Sequence, residues 1–221
     1  VNSLPHNYQY VPKVYLKVGV DKNFIETRNV SLNNSNVFVT THPLKGLDWL
    51  IELWLEYVHP KLPWAELHIY SVILSKAMET SKPDQNIAAV YEDILAAEDS
   101  GIQVKRPLGD SEMATVYRRA KVHLYPIIAN EVYCGTLAES QASGLPAVIN
   151  AAGGGADAAR GRVRNGQTGY LAPDESAFVN LTHGILSAGS GIYRTLHREA
   201  LALQRQRSWE GAAIEFEAVW R

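Results

Sequence analysis

Glu131 and Glu139 lie eight residues apart, with Gly135-Thr136 between them and Gly144 closing the stretch. Gly135-Thr136 tolerates the start of a helix, and Gly144 fits the left-handed position that ends one. On that reading Glu131 sits in a loop and Glu139 one turn into the helix, so both can face a ligand held at the helix N-terminus. The unsatisfied N–H groups there, with the positive end of the helix dipole, suit a phosphate. An anion-binding end flanked by two carboxylates that accept hydroxyl protons is the chemistry a sugar nucleotide needs. A third group, Lys45, stands in the loop Thr41–Gly46, and a lysine point charge suits a diphosphate. A loop lysine alone is usually a solvated surface charge. Its interest here comes from its coincidence with the two glutamates.

These residues need elements to hold them. The apolar run Val122–Pro126 precedes the glutamates and Leu145–Ile149 follows them, which predicts a β-loop-α-β unit in a parallel sheet. These two runs give strands at Lys121–Tyr125 and Pro146–Asn150; further strands are expected at Lys13–Val18, Val37–Thr40, Glu66–Val72 and Ile102–Lys105, with a short one in Asn165–Leu171. Between them, helical spacing predicts Leu47–Val58, Asn86–Asp99, Glu112–Ala120 capped by Asp110 or Ser111, Ala177–Leu186 capped by Asp174, Ile192–Leu203, and a last helix from Ser208 through Trp220. Ser31–Asn36 reads as a turn-rich linker. The alternation predicts an α/β, doubly wound, Rossmann-like parallel sheet with helices on both faces. Ligands of such sheets bind at the strand C-terminal ends, where Lys45, Leu108, Glu131 and Gly153 all fall.

Glu131 and Glu139, followed by Ser140-Gln141-Ala142-Ser143-Gly144-Leu145-Pro146-Ala147-Val148, resemble the donor-site motif of the retaining GT-B glycosyltransferases of group 1. Lys45-Gly46, Gly153-Gly154 with Asp157, Asn165-Gly166-Gln167-Thr168-Gly169 and Ser208-Trp209-Glu210 resemble further family segments, and Gly19-Val20-Asp21 with Phe24 resembles the crossing between its two domains. The resemblance implies roles. Glu131 would lie beside the transferred sugar, Glu139 would hold the ribose, and Lys45 would neutralise the diphosphate. Gly135 and Thr136 would supply N–H groups. Tyr133 stands at the family's aromatic position and Cys134 where glycine is usual. Leu108 belongs to the loop that lies against the nucleobase, and Gly153 and Gly154 approach the donor by backbone. Thr40 occupies a position where the family often has arginine, leaving His42 as a partial substitute.

The resemblance covers only half of the family's usual length. Residues 1–35 are expected to be a linker or remnant of an N-terminal domain, 36–207 a nucleotide-sugar-binding domain, and 208–221 a helix packing back. The chain starts without Met, so a fragment or processed chain is expected, with the N-terminal Rossmann domain missing. The implied reaction is transfer of a hexose from an NDP-sugar (a UDP- or GDP-sugar) to a hydroxyl of a saccharide, lipid or small molecule, with retention. No metal and no tightly bound cofactor are implied. The place would be the cytoplasm, with any membrane association made through the missing domain. Two alternatives stay open: a nucleotide-sugar-binding module without catalysis, or a subunit that needs a separate acceptor domain; and a related sugar-nucleotide epimerase, against which the Asn165–Gly169 and Ser208–Glu210 segments count.

Composition narrows the field in the same direction. Of 221 residues 46% are hydrophobic, enough for a packed core, and a net charge of −2 gives no case for binding nucleic acid. Cys134 is the single cysteine, which excludes an internal disulfide. No D-x-D, P-loop or G-x-G-x-x-G occurs, and the seven histidines show no metal-ligand spacing.

Overall fold

A computed structural model describes residues 18–26, 36–97, 99–128, 131, 133–152, 157–188, 190–204 and 207–220. The expected strand Lys13–Val18 (all but its last residue), the linker Ser31–Asn36 (all but Asn36, which instead opens the first strand), and Gly153 and Gly154 lie outside the described residues.

Six strands form one parallel sheet: β1 (Asn36–Val39), β2 (Glu66–Tyr70), β3 (Ile102–Lys105), β4 (Val122–Tyr125), β5 (Ala147–Asn150) and β6 (Gly169–Ala172). Their order is β3-β2-β1-β4-β5-β6. Period-two alternation deals the side chains to two cores. Val37, Val39, Leu67, Ile69, Val122, Leu124 and Val148 enter one, with helices α2 (Leu47–Leu53), α3 (Val72–Thr80), α4 (Ala88–Ala96) and α8 (Glu175–Ser187). Phe38, Tyr70, Tyr125, Ala147 and Ile149 face the other side, against α1 (Lys22–Ile25), α5 (Asp110–Arg119), α6 (Gly135–Ala142) and α7 (Asp157–Arg160). The doubly wound architecture expected from the sequence is therefore the observed one.

Several boundaries differ from the sequence reading for local reasons. The helix from Leu47 is α-helical only to Leu53. It then widens into a π turn over Trp54–Val58, where buried Trp54 donates its indole N–H to Ser100 O at 2.8 Å. Helix α3 departs from the expected pattern, because Val72-Ile73-Leu74 prolongs the apolar run of β2 and hides the change of period. Ser71 marks the change by capping α3, its Oγ accepting from Leu74 N–H at 3.3 Å. Helix α5 begins at Asp110, so neither Asp110 nor Ser111 is its cap; Gly109 holds that position, and Asp110 and Glu112 lie in the first turn, where carboxylates complement the dipole.

Asp174 caps α8 as expected, its Oδ1 accepting from Ala177 N–H at 2.7 Å. Asp174→Ala leaves that donor unpaired and should cost about 1 kcal/mol, lowering Tm by roughly 2–4 °C in a scan of the folded chain. Two helices follow α8. Helix α9 (Ser190–Gln204) lies across α6, with His197 Nδ1 2.7 Å from Gly144 O. Helix α10 (Trp209–Trp220) buries no residue, and Trp209, Ile214, Phe216, Val219 and Trp220 are exposed on it. Its start is tied to the segment before α1, where Val20 N–H donates to Arg207 O at 2.7 Å.

Candidate functional site

The strand order reverses between β1 and β4, and in open α/β sheets the crevice beyond the strand C-termini at that point takes ligands. The loops leaving β1 and β4 touch there. Gly46, with φ +97°, is the N-cap of α2, and a Cβ on it would stand 2.3 Å from Pro126 O. Only glycine meets both demands. The residue before it, Lys45, places Nζ 3.4 Å from Glu131 Oε1, joining positions 86 residues apart. The pair is partly exposed, 39% for Lys45 and 22% for Glu131, so it is weak and open to an incoming ligand.

Glu131 has a second partner that sequence reasoning missed. Tyr125, the last residue of β4, donates its hydroxyl to Glu131 Oε2 at 2.5 Å. Burial, with Cys134 and Glu131 nearby, holds the Tyr125 phenol well above its ordinary pKa, so it stays a donor. Glu139 is arranged in parallel fashion from α6: Tyr117 of α5 donates to its Oε2 at 3.3 Å. Burial raises the Glu139 pKa, against the lowering effect of the Tyr117 bond and with Asp110 and Asp21 adding to the rise. Periodicity reads both tyrosines as core; Tyr125 stands at a strand end six residues before Glu131, but Tyr117 and Glu139 are 22 residues apart and nothing in the sequence joins them.

Helix α6 starts at Gly135, as the sequence predicts, and its N-cap is Cys134 in a left-handed conformation (φ 52°) with no side-chain cap bond. A non-glycine residue there is strained. Cys134 is 2% exposed, and burial pushes its thiol up to about 11, so it packs rather than reacts. The first-turn N–H groups of Gly135 and Thr136 lack intrahelical acceptors. Gly135 also lies under Tyr133, whose ring would be 3.1 Å from a Cβ there.

Tyr133 links this loop to two other parts of the chain. Its hydroxyl donates to Gly19 O at 2.7 Å, and its carbonyl accepts from Arg162 Nε at 3.2 Å. The Arg162 guanidinium stacks 4.7 Å from the Tyr133 ring centroid and is only 7% exposed. Sequence alone gives no sign of Arg162, since a lone arginine after a short helix carries no pattern. The remaining expected residues are less engaged. His42 is exposed, its Nδ1 accepting from Leu44 N–H of its own loop at 3.2 Å, so it acts as a turn former there. Leu108 is 48% exposed in the loop after β3. Among the described residues, no group of three or more His, Cys, Asp and Glu could hold a metal ion.

A family model described as "Glycosyl transferases group 1" matches residues 34–188, more than half of the chain and every described element from β1 to α8. The chain belongs to the group 1 glycosyltransferases. No curated protein matches it. Solved structures share the fold of this group 1 chain. The Anabaena Alr3699/HepE protein in complex with UDP and glucose aligns with a TM-score of 0.71 at 17% identity, over 91% of this chain and 55% of that one. Sucrose-phosphate synthase from Thermosynechococcus elongatus aligns at 0.70 and 18%, over 92% and 51%. The pneumococcal O-GlcNAc transferase GtfA with UDP and GlcNAc aligns at 0.63 and 17%, over 96% and 40%. The group 1 chain thus spans about half the length of the structures it matches. No helix among its described residues is long and apolar enough to cross a membrane.

Proposed function

We propose that this chain is the donor-binding, C-terminal half of a retaining hexosyltransferase that uses a UDP-sugar. The observation that carries the reading is the Lys45–Glu131 pair, set beside the N-terminus of α6 at the reversal of strand order. Lys45 and the Gly135 and Thr136 N–H groups neutralise the departing diphosphate, the main electrostatic task of the transfer. Glu139 accepts the ribose hydroxyls. Glu131, held by Tyr125, orients the sugar and stabilises positive charge developing at its anomeric carbon. UDP in the HepE and GtfA structures supports uridine as the base. Residues 36–207 form the donor domain, 1–35 the linker, and 208–221 a helix that packs back on a further domain holding the hydroxyl acceptor. The exposed apolar residues of α10 support that last assignment. The reading places the protein in the cytoplasm.

Calorimetric titration of the chain with UDP, GDP and ADP, and then UDP-glucose, tests the reading. Saturable binding of UDP is expected, and a folded chain that binds none of them overturns it. The Glu139 pKa gives a sharper check. Its folded value is raised, so the protonated form is favoured in the folded chain, and the ionised form costs stability as pH rises through that value. Ribose needs the ionised form, so UDP affinity should fall on acidification at a higher pH than for an ordinary glutamate. Glu139→Gln should therefore raise Tm slightly at pH 7 and yet weaken UDP binding about tenfold. Loss of both stability and affinity would assign Glu139 a packing role.

A further inference from the structure

Behind the first turn of α6 lies a chain of four polar side chains that the donor-site reading leaves without a task. Thr40 Oγ1, just past β1, is 3.0 Å from Thr136 Oγ1 and 3.4 Å from His123 Nε2. His123 Nδ1 is 2.8 Å from Ser140 Oγ, which is itself 3.0 Å from Leu137 O. The His123 ring is wholly buried between aromatic faces, its centroid 5.0 Å from Phe38, 5.4 Å from Tyr125 and 6.5 Å from Tyr117. Burial lowers its pKa to about 3, so it stays neutral and carries one N–H.

One proton on each hydroxyl and one on the ring allow two continuous orders. In the first, Thr136 donates to Thr40, Thr40 to Nε2, Nδ1–H to Ser140, and Ser140 to Leu137 O. In the second, Ser140 turns its proton from Leu137 O to Nδ1, Nε2–H donates to Thr40, and Thr40 donates to Thr136. Only the second leaves the Thr136 proton to be donated beyond the chain. A phosphate oxygen carries lone pairs and accepts, so it is compatible with the second order alone.

We propose that His123, acting through Thr40, is a positioning residue for the phosphate-binding end of α6: with a nucleoside diphosphate bound, it is held as the Nε2–H tautomer and aims the Thr136 hydroxyl at a phosphate oxygen. The inference rests on the donor-site reading. It also explains how a neutral threonine serves at the end of β1, where a second cation would otherwise be expected. The buried ring fixes the hydroxyl order from behind, and burial makes an unpaired ring nitrogen costly.

The chain, labelled with nitrogen-15 in its histidines, tests this by long-range proton–nitrogen spectra in the presence of saturating UDP. His123 should show the Nε2–H pattern, and an Nδ1–H pattern in the UDP complex overturns the inference. Affinities provide the second reading. Thr136→Val should weaken UDP about tenfold while Thr136→Ser restores it, and Thr40→Val should weaken UDP several-fold, with uridine affinity unchanged in both. Equal losses for UDP and uridine in Thr40→Val, with Thr40→Ser restoring both, would make the chain purely structural. If the unaltered chain binds no UDP, the donor-site reading and this inference fall together.

Discussion

Lys45→Ala should weaken UDP binding by roughly ten- to a hundredfold, leave uridine binding unchanged, and leave Tm within about a degree or two. The size follows from one charge-assisted contact to phosphate, which is among the stronger polar interactions a protein makes. The selectivity follows from position. Lys45 is anchored by Gly46, whose backbone lies against Pro126 O, so its side chain starts from a fixed point between the loops of β1 and β4. It points at Glu131, away from the loop after β3, to which the proposed donor site assigns the base. The small effect on Tm follows from its 39% exposure, because exposed pairs contribute little to folding. Salt gives an independent check. Binding by the unaltered chain should weaken as ionic strength rises, and the variant should show a flatter dependence. Calorimetry at two salt concentrations measures both. An equal loss for uridine would mean that Lys45 shapes the loop instead of meeting phosphate.

Much of this site was legible because it depends on positions where backbone geometry restricts residue type. Gly46 and Gly144 need positive φ, and both were readable as glycines at helix ends. Glu131 and Glu139 flank a helix start that Gly135-Thr136 announces. The strands were readable because short apolar runs such as Val37-Phe38-Val39 serve two buried faces. Less was legible where identity is decided by a distant partner. Tyr117 and Tyr125 read as core aromatics, and only their contacts with Glu139 and Glu131 show what their hydroxyls do. His123 reads as one of seven scattered histidines until register places it beside Thr40. Helix α3 was hidden for another reason, since an apolar strand ran straight into an apolar helix and left only Ser71 to mark the junction.

The two glutamates should separate cleanly by experiment, and Glu131→Gln is the more informative variant. It should lower transfer by roughly 10²–10³-fold in a protein that carries this domain with an acceptor domain, which is the effect of removing one group that stabilises transition-state charge. UDP affinity should be unchanged or slightly tighter. The reason lies in what Glu131 touches. Tyr125 can donate to the side-chain carbonyl of the introduced amide as it does to the carboxylate, so the loop keeps its support. Lys45 loses its anionic partner and is freer to meet phosphate. Glu139→Gln should do the reverse, losing UDP affinity, because the proposed donor site gives its carboxylate the ribose hydroxyls. Weaker UDP binding in Glu131→Gln, with turnover lost in proportion, would move Glu131 from the reacting sugar to the nucleotide. Unchanged turnover would remove it from the reaction altogether. The same pair of measurements therefore tests the assignment of each carboxylate against the other, and the test depends on the two being held by different tyrosines on different elements.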